Sequence, residues 1–223
     1  MDHATIRVLL VGGPPGAGKT TLGAALSHRL RITSLTVDDL VVAARAITTP
    51  ETHPGLWALS RVPVHEYFTD SSVEQLVADA AQRHEATWPM VRDVIRKHAS
   101  AGGSPIVIDG WHVRPHQVAE LGLDNVWSCW IAAAPEVLEQ RERALLPGFL
   151  SGSSDPERML ANFLARSRWH NHLIEQQATE LGLTVLHQSG DVTVDDLCDQ
   201  VVEELGPRLP RPLMPSSLTA GSG

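Results

Sequence analysis

An eight-residue segment near the amino end has the residue types and the spacing of a phosphate-binding loop. The run Gly13-Pro14-Pro15-Gly16-Ala17-Gly18-Lys19-Thr20 matches the pattern G-x-x-x-x-G-K-[ST] at every fixed position. Glycines let backbone N–H groups converge on phosphate oxygens, and the dipole of a helix that begins here favours negative charge. We therefore expect this run and Thr21 to bind a nucleoside triphosphate, with Lys19 on the β- and γ-phosphates and Thr20 on Mg²⁺.

Carboxylates directly follow two further apolar segments. Asp38 and Asp39 come after the first of them, residues 32–37, and Asp109 follows the second, Ile106-Val107-Ile108. An apolar strand that ends in an acid is typical of the element that holds Mg²⁺ in phosphate-loop proteins, so Asp109 is a second predicted magnesium ligand. Phosphoryl transfer to an alcohol also needs a carboxylate that orients the acceptor oxygen or takes its proton. Asp38 and Asp39 are candidates for that role, and Asp39 is also a candidate N-cap of a helix over 40–46.

Strand-like and helix-like segments alternate along the chain. Strands are predicted at residues 6–11, 32–37, 105–108, 126–132 and 183–186. Helices are predicted at residues 19–30, 40–46, from 73 onward with Ser72 as N-cap, 88–99, 115–121, 135–145, 157–181 and 194–205. Strands that are apolar on both faces form parallel sheets with helices on both sides. The pattern therefore predicts an α/β fold with about five parallel strands, in which ligands bind at the carboxyl ends of the strands.

A single domain is predicted over residues 1–206. Within it, residues 147–155 are rich in Gly and Ser and are expected to form a loop. The segment 207–223 combines four prolines with Ser and Gly, and it is predicted to be a disordered tail.

The composition disfavours several classes of partner and site. Twenty-six acidic against 18 basic residues give a net charge of −8, which is unfavourable for binding nucleic acid or an anionic membrane. The apolar run VLLV near the amino end is too short for a signal peptide or a spanning helix, so we expect a cytoplasmic protein. Cys129 and Cys198 lie in apolar stretches and are expected to be buried. The spacing of the eleven histidines does not predict a zinc site.

Motifs and size narrow the class of nucleotide-binding protein. The chain has neither the N-K-x-D motif of guanine-specific proteins nor the full signature of ABC ATPases, and AAA machines usually carry a larger module with a separate helical lid domain. The phosphate loop, the acid after the second strand and an arginine-bearing segment late in the chain resemble the small P-loop kinases. This group includes shikimate kinase, gluconate kinase, 2-phosphoglycerate kinase, zeta toxins and chloramphenicol phosphotransferase. The segment Val37-Asp38-Asp39-Leu40 is similar to the apolar–Asp–polar–Leu pattern of chloramphenicol phosphotransferase.

The resemblance implies a P-loop NTPase fold that uses ATP and Mg²⁺ and has an arginine-bearing lid at about residues 144–158. It favours Asp38 over Asp39 as the residue that orients the acceptor. In such kinases an arginine from a closing lid neutralises charge on the transferred phosphoryl group. We rank Arg141 first for this catalytic role, Arg143 second and Arg158 third.

An acceptor site on the irregular segment 47–72, and beside the acid that ends the third strand, is also implied by the resemblance. The predicted acceptor contacts are Asp39, Trp57, Arg61 and Trp111. Ser189-Gly190-Asp191 lies where relatives surround the adenine base.

Two hypotheses about function follow. The first is a kinase that moves the γ-phosphoryl group of ATP to a hydroxyl of a small molecule, such as a metabolite, a nucleoside or an antibiotic. The alternative is a nucleotide-gated switch that binds ATP without a small-molecule acceptor, and the proline-rich tail motivates it. A polynucleotide 5′-hydroxyl kinase is disfavoured because the net charge is negative and the chain has no basic run.

Overall fold

The computed structural model describes residues 5–58, 63–145 and 152–209. Its five strands are β1 (Val8–Gly12), β2 (Thr33–Thr36), β3 (Ile106–Asp109), β4 (Val126–Ala133) and β5 (Thr184–Gln188). They form one sheet in the order β2-β3-β1-β4-β5, and every neighbouring pair is parallel. The predicted five-stranded parallel sheet is confirmed.

Eight helices connect or follow these strands within the described ranges. They are α1 (Lys19–Leu30), α2 (Val37–Ala46), α3 (Val64–Asp70), α4 (Val73–Ala99), α5 (Pro115–Ala119), α6 (Pro135–Leu145), α7 (Pro156–Glu180) and α8 (Val194–Leu205). A short 3₁₀ helix, Gly206–Arg208, follows α8. The predicted bounds of α1, α6 and α8 are confirmed.

Alternating side chains of the strands build a core on each face of the sheet. On one face, Leu9 and Val11 of β1 pack with apolar residues of α1 and α8. On the other face, Val8 and Leu10 pack with apolar residues of α4 and α7. Because both faces are covered, β1 and β3 in the middle of the sheet are buried along their whole length, whereas the edge strand β2, with the sequence Thr-Ser-Leu-Thr, is partly exposed. Cys129 and Cys198 are buried free cysteines in the first of these cores, as predicted.

Two helical predictions need correction. Residues 73–99 form one continuous helix although Pro89 lies inside it, where two helices were predicted. A proline in a helix interior costs roughly 3 kcal/mol, and burial of the apolar side chains Leu76, Val91 and Ile95 along one side of the helix offsets this cost. The segment 47–72 is not irregular throughout, because α3 forms within it and buries Tyr67 and Phe68.

The start of α2 also differs from the prediction. This helix begins at Val37, and its N-cap residue is Thr36. Asp38 and Asp39 therefore lie in the first helical turn, and Asp39 is not the N-cap. Carboxylates in a first turn interact favourably with the helix dipole, so the acids also stabilise the helix that carries them.

The amino-terminal and carboxy-terminal segments meet beside the sheet. The Ile6 N–H donates to the carbonyl of Arg208 at 2.8 Å, and Leu209 packs against the core. Residues 207–209 thus belong to the folded domain, whereas 210–223 of the predicted tail and 147–151 of the predicted loop lie outside the described residues. In the described part of the chain, none of the helices combines the length and the apolar character that crossing a bilayer would require.

Candidate active site

The phosphate loop joins the end of β1 to the start of α1. Gly16 and Gly18 have φ angles of 75° and 99°, a region of backbone conformation that favours glycine. A Cβ on Gly16 would also lie 2.6 Å from Oε1 of Glu142, a buried residue of α6. Glycine is therefore required at Gly16 both by the backbone conformation and by the close approach of Glu142.

Lys19 is the first residue of α1 and folds back over the loop. Its Nζ donates to the carbonyl of Pro14 at 2.7 Å. Burial lowers the pKa of Lys19 to about 8, although the negative charges of Asp38, Asp109 and Glu142 oppose this shift. Phosphate oxygens would supply the additional negative charge that keeps this ammonium group protonated.

Thr20 and Asp109 lie together at the carboxyl end of the sheet. Thr20 Oγ1 donates to Asp109 Oδ1 at 2.8 Å. Burial raises the pKa of the Asp109 carboxyl, which is 4% exposed, while the Thr20 hydroxyl and the Lys19 charge lower it. A hydroxyl and a buried carboxylate beside a phosphate loop are oxygen donors of the kind that Mg²⁺ binds, so the donor set fits the predicted magnesium site.

Asp38 lies on the rim of a pocket that opens beside Lys19. The pocket has a volume of about 380 Å³ and is lined by Pro15, Lys19, Asp38, Arg45, Val64, Phe68, Arg83, Trp111, Phe163 and Arg166. The side chain of Asp38 is 66% exposed. Asp39 is also exposed but does not line this pocket. Of the two acids, Asp38 is thus the one that the structure brings to Lys19.

Arg166 lies at the centre of the aromatic wall of this pocket. Its guanidinium carbon is 4.7 Å from the ring centroid of Phe68, 4.8 Å from that of Phe163 and 5.0 Å from that of Trp111. The residue is 4% exposed, and burial lowers its pKa to about 10. Its Nε has no hydrogen-bond partner among the described residues. A cation held in this way is oriented by aromatic rings and keeps hydrogen-bonding capacity for a ligand.

Two further arginines line the pocket, and sequence reasoning assigned neither of them. Arg83 comes from α4 and Arg45 from the last turn of α2. Burial and the nearby Arg45 charge lower the pKa of Arg83. The sequence shows both only as ordinary helix-surface arginines, and no motif marks them. Their role depends on the packing of α2 and α4 around the phosphate loop.

The predicted acceptor contacts occupy different positions. Trp111 lines the pocket, as expected. Trp57 does not line the pocket but contacts Arg45, which does. The Arg45 guanidinium lies 4.3 Å from the Trp57 ring centroid. Trp57 Nε1 in turn donates to Thr48 Oγ1 at 3.2 Å. Arg61 lies outside the described residues.

The two top-ranked arginines point to different partners. Arg141 Nη1 donates to the carbonyls of Gly16 and Ala17 at 3.1 and 3.0 Å. Arg143 instead pairs with Glu139 at 3.2 Å and with Glu157 at 3.6 Å. The structure therefore brings Arg141, and not Arg143, to the phosphate loop.

Arg158, the third-ranked arginine, has no contact with the loop among its described hydrogen bonds. Its backbone N–H donates to the Asp155 side chain, which caps α7. Residues 146–151 of the predicted lid lie outside the described residues.

A second cavity adjoins the other side of the phosphate loop. It has a volume of about 540 Å³ and is lined by Gly16, Ala17, Gly18, Thr21, Arg141, Ala144, Gln188, Val192, Thr193, Val194 and Leu197. Gln188 and Val192 flank the three residues predicted to surround the adenine base, and Gln188 Nε2 donates to the Val192 carbonyl at 2.9 Å. A nucleotide base attached to phosphates in the loop would have this cavity within reach.

Comparison with known proteins assigns the family. A model of the AAA domain family matches residues 8–128, from the start of β1 into β4. The chain belongs to this AAA domain family. This family name was not predicted, because AAA machines usually carry a larger module with a separate helical lid domain. The resemblance to small P-loop kinases is nevertheless confirmed, because the chain is similar to 2-phosphoglycerate kinases in sequence and to shikimate kinases in fold.

Two curated relatives are kinases of a small molecule. The 2-phosphoglycerate kinase of Methanopyrus kandleri is 22% identical over 205 residues, which are 91% of this chain and 61% of that protein. The 2-phosphoglycerate kinase of Pyrococcus horikoshii is 30% identical over 135 residues, which are 60% of this chain and 44% of that protein. The chain thus spans less than two thirds of the length of either relative.

Solved structures with the same fold include two shikimate kinases. The shikimate kinase from Acinetobacter baumannii in complex with shikimate has a TM-score of 0.53 at 16% identity, over 90% of this chain and 93% of that chain. The shikimate kinase from Bacteroides thetaiotaomicron has a TM-score of 0.52 at 16% identity, over 91% of this chain and 99% of that chain. These likenesses identify the fold as that of P-loop kinases.

Proposed function

We propose that this protein transfers the γ-phosphoryl group of ATP to a hydroxyl of a small molecule that carries an anionic group. The observation that supports this most directly is the pocket beside Lys19. Three arginines line it, whereas Asp38 is the only acid among its described lining residues. Arg83 and Arg166 have no ion pair among the described residues, so an acceptor anion is the natural partner for their charge.

The phosphate loop and the acids around it would hold the nucleotide. Bound Mg²⁺, held by Thr20 and Asp109, would neutralise charge on the phosphate oxygens. Lys19 would leave the Pro14 carbonyl and donate to the β- and γ-phosphates. Arg141 would remain beside the loop, where it limits the access of water to the nucleotide and adds positive charge.

Asp38 would act on the acceptor. It lines the same pocket as Lys19, and its charge acts directly on the Lys19 ammonium group. A carboxylate in this position can orient a hydroxyl toward the γ-phosphate and take its proton as the new O–P bond forms. The aromatic wall and the arginines would hold the rest of the acceptor in place.

The class of acceptor is a hydroxylated carboxylic acid or phosphate ester. The name of the two curated relatives, 2-phosphoglycerate kinase, specifies an acceptor of this class. A pocket of about 380 Å³ has room for a molecule of metabolite size. The predicted cytoplasmic location forms part of this proposal.

The test is ADP formation from ATP and Mg²⁺ with three sets of acceptors. Acids such as 2-phosphoglycerate, shikimate and gluconate form the first set, neutral polyols the second, and nucleosides and antibiotics the third. We expect turnover with one or more members of the first set. Turnover confined to neutral acceptors would contradict the anionic class, and no acceptor-dependent ADP with any set would contradict the kinase.

Matched variants test the assigned residues. Asp38→Ala should keep nucleotide binding and lose transfer, whereas Lys19→Ala should lose turnover. Arg166→Met should raise the KM for the acceptor at least about tenfold, the size expected for loss of one charged hydrogen bond. Arg168→Met is the control, since Arg168 lies on the same helix but pairs with Glu139 at the surface. Equal effects of the two arginine variants would remove Arg166 from the acceptor site.

A further inference from the structure

His112 is buried directly below the rim of the acceptor pocket, next to Asp38. Its Nδ1 lies 3.9 Å from Asp38 Oδ1, and its side chain is 0% exposed, whereas Asp38 is mostly exposed. Neither ring nitrogen of His112 has a hydrogen-bond partner among the described residues. A buried N–H donor without an acceptor is costly. The ring N–H of His112 is therefore expected to point toward an acceptor, and Asp38 Oδ1 is the oxygen next to Nδ1.

The loop that carries His112 is held in place on both sides. At its start, the Gly110 N–H donates to the Val11 carbonyl at 3.1 Å, and a Cβ on Gly110 would lie 2.7 Å from Val37 Cβ. At its end, the Val113 carbonyl accepts from the indole N–H of Trp130 at 2.9 Å. The loop therefore packs tightly under the first turn of α2, and His112 has little freedom to move away from Asp38.

The groups around His112 keep its ring neutral. Burial and the positive charges of Arg83, Lys19 and Arg166 hold its pKa well below the ordinary histidine range. Behind it lies His84, whose ring centroid is 5.2 Å away and whose Nδ1 is 3.3 Å from Arg114 Nη1. His170 lies beyond, 5.1 Å from the His84 ring. In the described part of the chain, no group of three or more His, Cys, Asp or Glu side chains is arranged to hold a metal ion, and this includes the three histidine rings.

We propose that His112 is a positioning residue for Asp38. Its neutral ring carries the proton on Nδ1 and directs this N–H toward Oδ1 across the 3.9 Å that separates the two atoms. With acceptor and nucleotide bound, this contact shortens to a full hydrogen bond. Oδ2 is then left free to face the acceptor hydroxyl. Hydrogen bonds of this kind are often long in an empty active site and shorten in the reactive complex. The role in turnover rests on the proposed function, whereas the position of the proton does not.

The first experiment measures that proton directly. Nitrogen-15 NMR of the full chain, labelled at histidine, distinguishes a ring protonated on Nδ1 from one protonated on Nε2. At pH 7 we expect His112 to be neutral with the proton on Nδ1, and Asp38→Asn to shift its Nδ1 resonance but not that of His170. A proton on Nε2, or no response to Asp38→Asn, would overturn the proposal even if the protein is a kinase.

The second experiment separates positioning from folding. His112→Leu should lower kcat about tenfold or more with little change in the acceptor KM, as expected when a reacting group is misplaced. His112→Asn, which keeps an N–H donor near the Nδ1 position, should restore most of the activity. His170→Leu is the control, because His170 is equally buried. Full activity of His112→Leu, or an equal loss of kcat in His170→Leu, would refute the positioning role.

The NMR measurement needs no acceptor, so failure of the proposed kinase function and failure of the His112 proposal can be told apart. If the wild-type protein forms no acceptor-dependent ADP, the proposed function fails, and the NMR measurement still decides whether His112 donates to Asp38. If the NMR result contradicts the proposal while turnover is observed, the kinase stands and His112 is a core residue.

Discussion

Thr20 Oγ1 donates a 2.8 Å hydrogen bond to Asp109 Oδ1 across 89 residues of sequence. The parallel pairing of β1 with β3, in which Val11 is opposite Asp109, makes this contact possible. The two predicted magnesium ligands therefore meet because their strands are neighbours in the sheet. Neither the loop motif nor the apolar run before Asp109 specifies this neighbourhood.

Asp109→Asn should raise the Mg²⁺ concentration needed for half-maximal activity at least about tenfold, because one anionic oxygen donor is lost. Binding of ADP without Mg²⁺ should change little. A turnover assay at varied Mg²⁺ concentration measures the first effect, and calorimetric titration with ADP in the absence of Mg²⁺ measures the second. Asp93→Asn, at an exposed acid paired with Arg92, is the control and should resemble the wild type. An unchanged Mg²⁺ dependence in Asp109→Asn would remove Asp109 from the metal site.

Lys19→Met should abolish turnover and yet stabilise the nucleotide-free fold at pH 7. Burial lowers the pKa of Lys19 from 10.5 to about 8, so between these values the unfolded chain binds more protons than the folded one. The free energy of unfolding of the wild type therefore increases as pH rises from about 8 to 10.5, because the buried ammonium group loses its proton. Below pH 8 the ammonium group stays charged, and its burial destabilises the fold by the full amount. We expect the variant to be more stable at pH 7, by up to about 3 kcal/mol.

Urea unfolding at pH 7 and at pH 10 checks this sign. The stability difference between Lys19→Met and the wild type should shrink at the higher pH. A variant that is less stable than the wild type at pH 7 would show that the Pro14 hydrogen bond outweighs the cost of burying the ammonium group.

Arg141→Met should weaken nucleotide binding about tenfold, since it removes a cation and two hydrogen bonds to the phosphate loop. Arg143→Met should leave the Kd for ATP nearly unchanged, because Arg143 pairs with acids on α6 and α7. Fluorescence titration with a labelled nucleotide measures both. A larger loss in Arg143→Met would restore Arg143 as the arginine that acts on the phosphates.

Gly12→Ala should lower the melting temperature by several degrees. A Cβ at this position would lie 2.2 Å from the Trp130 ring, and overpacking of a core typically costs about 1–3 kcal/mol. Gly102→Ala is the control, since a Cβ there has no neighbour within 4 Å. Calorimetric scans of both variants test the prediction, and equal melting temperatures would contradict it.

Deletion of residues 210–223 should leave acceptor-dependent ADP formation unchanged. The cut falls after Leu209, because Arg208 and Leu209 contact the domain. A nucleotide-gated switch that docks through its tail would instead lose its partner on deletion while it still binds ATP. Loss of turnover in the truncated protein would link the tail to the active site.

Some parts of the site were predictable because they are local. The phosphate loop is a contiguous motif, and Asp38 and Asp109 follow segments that were predicted to be strands. Arg45, Arg83 and Arg166 were not predictable as site residues, because no motif marks them and each lies on a helix as an ordinary arginine. The single helix α4 was missed because Pro89 has a strong local signal for a break, whereas the compensating burial is a tertiary effect.

The sequence alone determined that a strand, a phosphate-loop motif and a helix follow one another, and that about five strands form a parallel sheet. These features depend on residues within a few positions of one another, where backbone preference and apolar periodicity decide the outcome. Only the tertiary structure decided that Arg166 and Lys19 line the same pocket, that Arg141 contacts the loop and Arg143 does not, and that His112 lies under Asp38. Those relationships arise from the packing of α4, α6 and α7 on the sheet, and long-range packing leaves no local pattern in a single chain.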